Sequence, residues 1–277
     1  MSQTVTVKQT LVRYLPPLVI HWGKWLSNSG YRHKSHHLSR LKSIPRYQPT
    51  TTEIFGKPFE IVDSSSFLSM YNEIFEREIY RFRSKTERPY IIDCGANIGL
   101  SVAYFKRLYP QSRILAFEAD EKIFEVLSRN VAQHDYQNVE LTCRAVWTSE
   151  TSLSFMSEGA DGGRLSGPGD AKDDVVQTIR LRDYLQEPVD FLKLDIEGSE
   201  TDVLEDCADV LPNVESLFVE YHSFAGRPQT IHKLTEVLAG AGFRLHIHPE
   251  NASPQPFLHR DVYGGMDLQL NVFAFRE

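Results

Sequence analysis

The stretch Tyr90-Ile91-Ile92-Asp93-Cys94-Gly95-Ala96-Asn97-Ile98-Gly99-Leu100-Ser101-Val102-Ala103-Tyr104-Phe105 decides the fold of this chain. A short apolar run ends in an acid, passes through a glycine-bearing turn and continues with apolar residues at helical spacing. This order predicts a strand, a tight turn and a helix. Gly95 and Gly99 let the backbone approach a ligand, and the free N–H groups at the helix start attract an anionic group. We therefore predict a cofactor-binding turn, with an ordinary strand-to-helix connection as the alternative.

The spacing of the two glycines argues against two common phosphate-binding loops. A dinucleotide-binding turn requires G-x-G-x-x-G, in which the second glycine admits a pyrophosphate. Here Asn97 stands beside that approach, and no Gly-Lys-Ser/Thr follows to make a Walker A loop. The spacing therefore fits neither a dinucleotide-binding turn nor a Walker A loop.

Two segments resemble the motifs of one enzyme family. Residues 93–99, Asp-Cys-Gly-Ala-Asn-Ile-Gly, resemble the first motif of class I S-adenosylmethionine-dependent methyltransferases. Residues 190–200, Asp-Phe-Leu-Lys-Leu-Asp-Ile-Glu-Gly-Ser-Glu, resemble the K-x-D-x-E-G-x-E signature of the FkbM family of these enzymes. The resemblance is close over residues 88–222 and implies S-adenosyl-L-methionine as cofactor and O-methylation as reaction.

The same resemblance implies the fold. It is an α/β, Rossmann-like domain with a mostly parallel seven-stranded sheet, an antiparallel last strand and helices on both faces. A helical and hairpin extension precedes it. We divide the chain into a basic N-terminal arm (1–52), a hairpin and helix packed on the core (53–87) and the methyltransferase domain (88–277).

Composition and charge limit the classes of partner. The 277 residues are 41% hydrophobic and 24% charged, as in soluble globular proteins. Three scattered cysteines suit a reducing cytosol and predict neither a disulfide framework nor a zinc site. The first 52 residues hold 8 basic and no acidic residues, so the remaining 22 basic residues face all 37 acidic ones. This acidic body argues against a nucleic-acid substrate.

An apolar segment with basic and tryptophan residues, 11–26, lies in the arm. Its longest uncharged stretch is about half of the ~20 residues that a spanning helix needs, and Pro16 and Pro17 interrupt it. No signal-peptide pattern is evident, so we expect a cytoplasmic protein. We predict an arm folded over the domain or over a partner subunit of a homo-oligomer. Peripheral membrane contact through Trp22 and Trp25 is the alternative. We interpret His33, His36 and His37 as solvated residues, and predict no metal site.

Between the arm and the core, residues 53–63 predict a small hairpin around Gly56-Lys57-Pro58. Serines 64–66 then start a helix that runs to about Phe82, because apolar residues repeat at three and four. The family resemblance implies that this helix lies over the cofactor pocket. We predict core or surface placement for Tyr71, Glu73 and Tyr80, with contact with the cofactor pocket as the alternative.

The second parallel strand, residues 113–120, ends in acids. Glu118, with Ala119 beside it, is placed to accept hydrogen bonds from both ribose hydroxyls, and Asp120 starts the next helix. Residues 139–147 are the third strand, whose exit around Ala145 should flank the adenine. An extra strand at 151–156 follows. The glycine-rich stretch 159–170 is either a mobile lid or a plain connection.

The strongest candidates for chemistry lie on two later strands. Lys193 and Asp195 interrupt an apolar strand that should be buried on both faces, and such violations tend to mark sites. Lys193 needs a partner, for which Glu118, Asp195 or Glu200 are available. Asp195 should face the methyl donor or acceptor, whereas a purely structural ion pair is the alternative. On the next strand, His222 shares a face with Glu220 and is a catalytic or substrate-binding candidate.

These residues lead to one functional hypothesis. The cofactor site comprises the following residues: Asp93, Gly95, Ala96, Asn97, Gly99, Glu118, Ala119, Ala145 and Asp195. Asp195, Glu197 and His222 are the candidates for the base that deprotonates a hydroxyl, and the sequence does not separate them. The expected acceptor is a small molecule or a glycan or lipid-linked hydroxyl, such as a sugar or polysaccharide intermediate. A non-catalytic module that binds S-adenosylmethionine or a partner is the alternative.

Overall fold

The computed structural model describes residues 38–160, 162–165, 174–250, 253 and 255–276. Residues 11–26 and the three histidines of the arm lie outside them, so the expectations for the arm stand as predictions. Half of the glycine-rich stretch, residue 161 and residues 166–170, also lies outside.

Strands and helices alternate along most of the chain. Their bounds are β1 (Thr50–Ile54), β2 (Lys57–Ile61), α1 (Ser64–Tyr71), β3 (Tyr90–Cys94), α2 (Leu100–Leu108), β4 (Arg113–Glu118), α3 (Glu121–Gln133), β5 (Val139–Cys143), β6 (Ala145–Trp147), β7 (Ser152–Met156), β8 (Arg164–Leu165), β9 (Asp174–Arg180), β10 (Val189–Leu194), α4 (Glu200–Cys207), β11 (Val214–Phe224), α5 (Ile231–Gly240), β12 (Arg244–Pro249) and β13 (Met266–Phe275). A π-helical turn, Asn72–Glu76, extends α1, and 3-10 turns occupy Leu181–Tyr184 and Leu211–Asn213.

The central sheet has seven strands in the order β12-β13-β11-β10-β3-β4-β5. The strands from β11 to β5 run parallel, whereas β13 is antiparallel to both β11 and β12. The order reverses between β3 and β10, so their carboxyl ends flank the crevice where α/β sheets bind ligands. The predicted α/β, Rossmann-like fold, with its antiparallel last strand, is confirmed.

Two apolar clusters cover the faces of this sheet. One joins α4 and α5 to the sheet through residues such as Leu204 and Leu238, both fully buried. The other joins α1, α2 and α3 through Phe67, Phe105 and Leu127. With both faces covered, every residue of β3 is buried, which is the pattern expected of a central parallel strand. Polar residues of the central strands are therefore expected mainly at the strand ends.

The helix predicted over 64–82 is shorter in the structure. It ends with the π-helical turn, in which the Arg77 N–H donates to the Asn72 carbonyl at 2.8 Å. Glu78 adopts a φ of 53°, a left-handed conformation that terminates the helix. The apolar repeat continues because Tyr80 and Phe82 pack as irregular chain, with ring centroids 4.9 Å from Phe218 and 4.7 Å from Phe191, respectively. The helical endpoint near residue 82 was therefore wrong, although the packing surface extends that far.

The predicted third strand is two strands in different sheets. β5 pairs with β4 in the central sheet, whereas β6 pairs with β9 in a four-stranded sheet of order β6-β9-β7-β8. The chain changes sheets at Arg144, whose N–H donates to the Thr142 carbonyl at 3.0 Å. The hairpin of β1 and β2 is confirmed, but Phe55 and Gly56 form its turn. The extra strand predicted at 151–156 is β7, also confirmed.

None of the helices in the described part of the chain is long and apolar enough to cross a bilayer.

Candidate active site

A cavity of about 740 Å³ opens at the carboxyl ends of the central strands. Its walls come from the turn after β3, the end of β4, the sheet change at Arg144, the segments after β10 and the end of β11. A cofactor-sized ligand fits a cavity of this volume. The structure therefore offers one space in which the ends of several strands meet.

The glycine turn is packed directly against the tip of β10. Gly95 has a φ of 86°, and a Cβ there would lie 1.9 Å from the Asp195 carbonyl oxygen. The Asp195 N–H donates to the Cys94 carbonyl at 3.1 Å, which joins the two strand ends. Only glycine permits this approach, because any side chain would collide with backbone.

The N–H groups of the turn are committed within the protein. Those of Gly95 and Ala96 donate to the Phe117 carbonyl at 3.0 and 2.9 Å, and that of Ile98 donates to Asn97 Oδ1 at 2.7 Å. These three N–H groups are therefore not available to a ligand, and their role in the structure is to fix the turn. The prediction for the N–H groups at the helix start concerns the residues from Leu100 onward and stays a prediction.

Glu118 receives two backbone hydrogen bonds at the cavity wall. Its Oε2 accepts the Asn97 N–H and its Oε1 accepts the Asp120 N–H, each at 2.9 Å. Burial raises the pKa of Glu118 to about 7, against the effect of these two donors. Because a carboxylate oxygen has two lone pairs, each oxygen retains one for a ligand hydroxyl. Asp120 caps α3 by accepting the N–H groups of Lys122 and Ile123, as predicted.

Lys193 joins the carboxylates at the ends of β3 and β10. Its Nζ lies 3.4 Å from Asp93 Oδ1, 3.1 Å from Asp195 Oδ2 and 2.7 Å from the Gly95 carbonyl oxygen. Although burial alone would lower the pKa of Lys193, Asp195 and Asp93 raise it well above its ordinary value. Of the three partners predicted for this ammonium, the structure supplies Asp195, with Asp93 as a second.

A cluster of acids surrounds His222 on the other side of Asp195. His222 Nδ1 lies 2.9 Å from Glu200 Oε1, while its Nε2 lies 3.6 Å from Glu197 Oε2 and 3.7 Å from Glu220 Oε1. Glu200 Oε1 also accepts the Gly198 N–H at 2.9 Å, which fixes its position. Glu197 itself stands in a left-handed turn with a φ of 57°. The segment after β10 thus brings Glu197 and Glu200 to the imidazole, while Glu220 comes from β11 itself.

Burial and neighbouring charges raise the pKa values of the side chains in this cluster. Burial raises the pKa of Glu197 to about 8 and that of Glu220 to about 7. For His222, burial works to lower the pKa, but Glu197 and Glu200 together raise it well above the ordinary histidine value. The cluster consequently retains protons near neutral pH.

The structure brings most of the predicted site residues to the cavity wall. These are Gly95, Ala96, Asn97, Glu118, Ala119, Ala145, Asp195 and Glu197. Three others stand behind the wall. Asp93 is fully buried and accepts the Ser101 hydroxyl at 2.5 Å, Gly99 packs against Leu127, and His222 is 5% exposed. Asp93 does not itself line the cavity but contacts Lys193 and Ser101, which both do, and its role toward the cofactor stays a prediction.

Several wall residues were not predicted as site residues. Glu250 lies at the wall with Glu73, whose pKa rises to about 8 through burial and a hydrogen bond to Glu250. Gln269 Nε2 donates to Glu220 Oε1 at 2.5 Å. Glu73 and Tyr80, for which contact with the pocket was the alternative, both line the wall, whereas Tyr71 is not among the wall residues. Glu250 and Gln269 carry no local sequence signal, since only the antiparallel end of the sheet brings them near β11.

The strand order and the cavity at the strand ends place this chain in the Rossmann-like α/β class. The sequence model of the methyltransferase FkbM domain matches residues 93–245, more than half of the chain. The chain therefore belongs to the FkbM methyltransferase family.

Curated relatives agree with this assignment. The chain is 31% identical over 174 residues to "Methyltransferase sdnD" of Sordaria araneosa, a match that covers 49% of this chain and 67% of the relative. It is 29% identical over 161 residues to "Methyltransferase 1" of Beauveria bassiana, which covers 49% of this chain and 65% of that protein. About a third of each relative thus lies outside the match.

Among solved structures, the chain is similar to the methyltransferase FkbM from Methylobacillus flagellatus. The identity is 16% and the TM-score 0.47, and the alignment covers 76% of this chain and 52% of the other. Because this score is below 0.5, the family assignment rests on the sequence matches.

Proposed function

We propose that this protein transfers a methyl group from S-adenosyl-L-methionine to a hydroxyl of a polyhydroxylated acceptor, such as a sugar, a polysaccharide or a glycolipid intermediate. One observation carries the proposal. The same cavity holds the glycine turn with Glu118 at one end and Asp195, Glu197 and Glu220 at the other. A nucleoside site and a proton-accepting site therefore adjoin at Asp195.

The residues of the first end fit the nucleoside cofactor. Glu118 projects two carboxylate oxygens that are already positioned by backbone N–H groups, as pairing with two ribose hydroxyls requires. Ala145, directly after the sheet change, provides a small wall residue next to Val146 for a flat ring. When bound, the cofactor supplies an electrophilic methyl on a sulfonium. Asp195, on the wall between the two ends, would then stand beside that positive charge.

The residues of the second end suit the removal of a hydroxyl proton. An alcohol is a weak nucleophile, so its proton must leave as the new C–O bond forms, and a positioned base contributes about 10²–10⁴-fold. The C–S bonding pair stays on sulfur, while the hydroxyl proton passes to the protein. Among the three predicted bases, His222 is the poorest, because its Nδ1 is committed to Glu200 and its side chain is buried behind the cavity wall. Asp195 and Glu197 line the wall directly. We favour Glu197, with Asp195 as the neighbouring alternative.

The wall around this end supports a polar and uncharged or cationic acceptor. Glu73, Glu220 and Glu250 line it with Gln269, and all four offer hydrogen-bond acceptors for hydroxyl groups. An anionic acceptor would meet repulsion from these carboxylates. We propose further that the acceptor hydroxyl is carried on a lipid or a polysaccharide. The N-terminal arm would contact a membrane or a second subunit.

Two matched variants test the proposal. Purified protein is titrated calorimetrically with S-adenosylmethionine and with NAD, and is then incubated with labelled methyl donor and a panel of glycan and lipid-linked acceptors. Glu197→Gln is expected to lower turnover by about 10²-fold or more while the cofactor dissociation constant stays within about threefold. Glu118→Gln is expected to raise the cofactor dissociation constant while turnover at saturating cofactor is retained. The reason is that one of the two oxygens that would accept a ribose hydroxyl becomes an amide donor.

Two results would contradict the proposal. Tighter binding of NAD than of S-adenosylmethionine would remove the cofactor assignment. Cofactor binding with no methyl transfer to any acceptor of the panel would instead favour a non-catalytic binding module.

A further inference from the structure

Three potential metal ligands meet at the acceptor end of the cavity. Asp195, Glu220 and His222 each offer one ligand atom, and these atoms lie within 4.8 Å of one another. Ligand atoms on opposite sides of a six-coordinate divalent ion are about 4.2 Å apart, since each lies about 2.1 Å from the ion. Neighbouring ligand atoms are closer, about 3.0 Å apart, so the two partly exposed carboxylates would move inward for all three atoms to reach one ion.

The orientation of His222 provides an independent observation. Its side chain is only 1% exposed, and Nδ1 faces Glu200 Oε1 at 2.9 Å. Because Glu200 also accepts the Gly198 N–H, its carboxylate is an acceptor toward the imidazole, which places the ring proton on Nδ1. Metal-binding histidines are held in this way by a carboxylate behind the ring. The atom left toward the carboxylates of Glu197 and Glu220 is Nε2, the ligating one.

Both carboxylates keep an oxygen for a ligand. Lys193 contacts Oδ2 of Asp195, and Gln269 donates to Oε1 of Glu220, so that each group can offer its other oxygen. These second partners also hold the two carboxylates in place, as the outer contacts of a metal site do.

The charge of the cluster favours a further cation. Five acids, Asp93, Asp195, Glu197, Glu200 and Glu220, make ion pairs with only two basic side chains, Lys193 and His222. Buried carboxylates in such excess must be neutralised by protons or by a bound cation.

We propose that Asp195, Glu220 and His222 bind one divalent cation, with Mn²⁺ as the preferred ion, and that its open side receives a hydroxyl oxygen of the acceptor. Two carboxylates suit Mg²⁺ or Mn²⁺, and the imidazole adds a preference for a transition ion. Three protein ligands leave positions open toward the cavity, so an acceptor with two adjacent oxygens would be held in a fixed orientation. The sequence analysis predicted no metal site, so this proposal departs from that prediction.

The cation site and its role are separable. Binding of the ion does not depend on methyl transfer, whereas its role toward the acceptor rests on the proposed function. A bound ion would lower the pKa of the acceptor hydroxyl. Glu197 lies outside the three ligands and remains the group that takes the proton, and His222 then acts by holding the ion rather than as a base.

Direct binding to the full chain tests the site. Protein treated with a chelator and dialysed is titrated with MnCl₂ in the absence of methyl donor and acceptor, by calorimetry and by the loss of the free-ion electron paramagnetic resonance signal. We expect one Mn²⁺ per chain. Glu220→Gln and His222→Gln should each weaken binding by about tenfold or more. Glu250→Gln, a change of another carboxylate in the same cavity wall, should leave the affinity within about twofold, since Glu250 is not one of the three ligands.

The outcomes distinguish this inference from the proposed function. Absence of binding at millimolar Mn²⁺, Mg²⁺ and Zn²⁺, or binding that Glu220→Gln leaves unchanged, overturns the site. Circular dichroism of each variant shows whether weaker binding reflects loss of fold, and Glu220→Gln suffices if the buried His222→Gln does not fold. Binding of the ion together with turnover that is unaffected by its removal overturns its role toward the acceptor. Binding of the ion without turnover on any acceptor contradicts the proposed function and leaves the site standing.

Discussion

Replacing Lys193 with methionine should uncouple the two halves of the site and destabilise the fold. The ammonium is 4% exposed and holds Asp93 and Asp195 at 3.4 and 3.1 Å. Asp93 is fully buried, and its Oδ1 has no hydrogen-bond partner, so Lys193 supplies its compensating charge. Removing one member of a buried ion pair costs about 3–5 kcal/mol because the other charge remains uncompensated. We expect a loss of that size in the free energy of unfolding.

A second buried lysine provides a matched control. Lys106 is 4% exposed, and its Nζ donates to the Ser112 carbonyl. Burial alone lowers the pKa of Lys106 to about 8, which indicates that it has no strong carboxylate partner. Lys106→Met therefore loses one hydrogen bond and relieves a desolvated charge, with an expected cost of about 1 kcal/mol. The comparison separates loss of a buried ammonium from loss of a buried ion pair.

Urea unfolding at neutral pH, followed by circular dichroism, measures both variants. In the double variant Asp93→Asn/Lys193→Met the buried charge is gone, so at least about 1–2 kcal/mol of the loss should be recovered. Equal losses for Lys193→Met and Lys106→Met, or strictly additive effects in the double variant, would refute the ion-pair explanation.

Two further predictions concern the turn and the acids. Gly95→Ala should lower the unfolding free energy by at least about 2 kcal/mol more than Gly56→Ala, because both have a positive φ but only the Cβ at Gly95 meets backbone, at 1.9 Å; similar losses would contradict this. The raised pKa values of Glu118, Glu197 and Glu220, about 7, 8 and 7, mean that the folded state binds more protons than the unfolded state. The unfolding free energy of the ligand-free protein should therefore fall as pH rises from about 5 to 8, and a pH titration of thermal unfolding should show a flatter curve for Glu197→Gln.

Local sequence patterns predicted the parallel core of the fold because burial of a strand on both faces determines which residue types it contains. The apolar run of β3, the glycines after it and the acids that follow β4 and β10 are consequences of strands buried on both faces, with polar residues only at their tips. The break at Arg144 was missed because β5 and β6 together are one continuous β-like stretch. Only pairing with β9, about 30 residues later, separates them.

The site was predicted in part for the same reason. Glu118 and Asp195 follow their strands directly, so spacing along the chain places them. The partners of His222 were harder to predict, because Glu200 lies on the far side of a turn in which Glu197 adopts a left-handed conformation. Such a conformation has no signal in a non-glycine residue. Glu250 and Gln269 reach the cavity only through the antiparallel hairpin of β12 and β13.

The excess of acids where the strand ends meet would affect how the proposed donor and its product bind. A sulfonium is a cation and its demethylated product is neutral, so carboxylates such as Asp195 attract the donor more strongly than the product. Methyl transfer to a hydroxyl also releases one proton, which a carboxylate with the raised pKa of Glu197 can retain near neutral pH. In the proposed reaction the site would therefore lose the positive charge of the sulfonium and gain that of the proton. In the proposed reaction the acidic wall would therefore favour departure of the neutral product, while the proton held by Glu197 keeps the net charge of the occupied site unchanged.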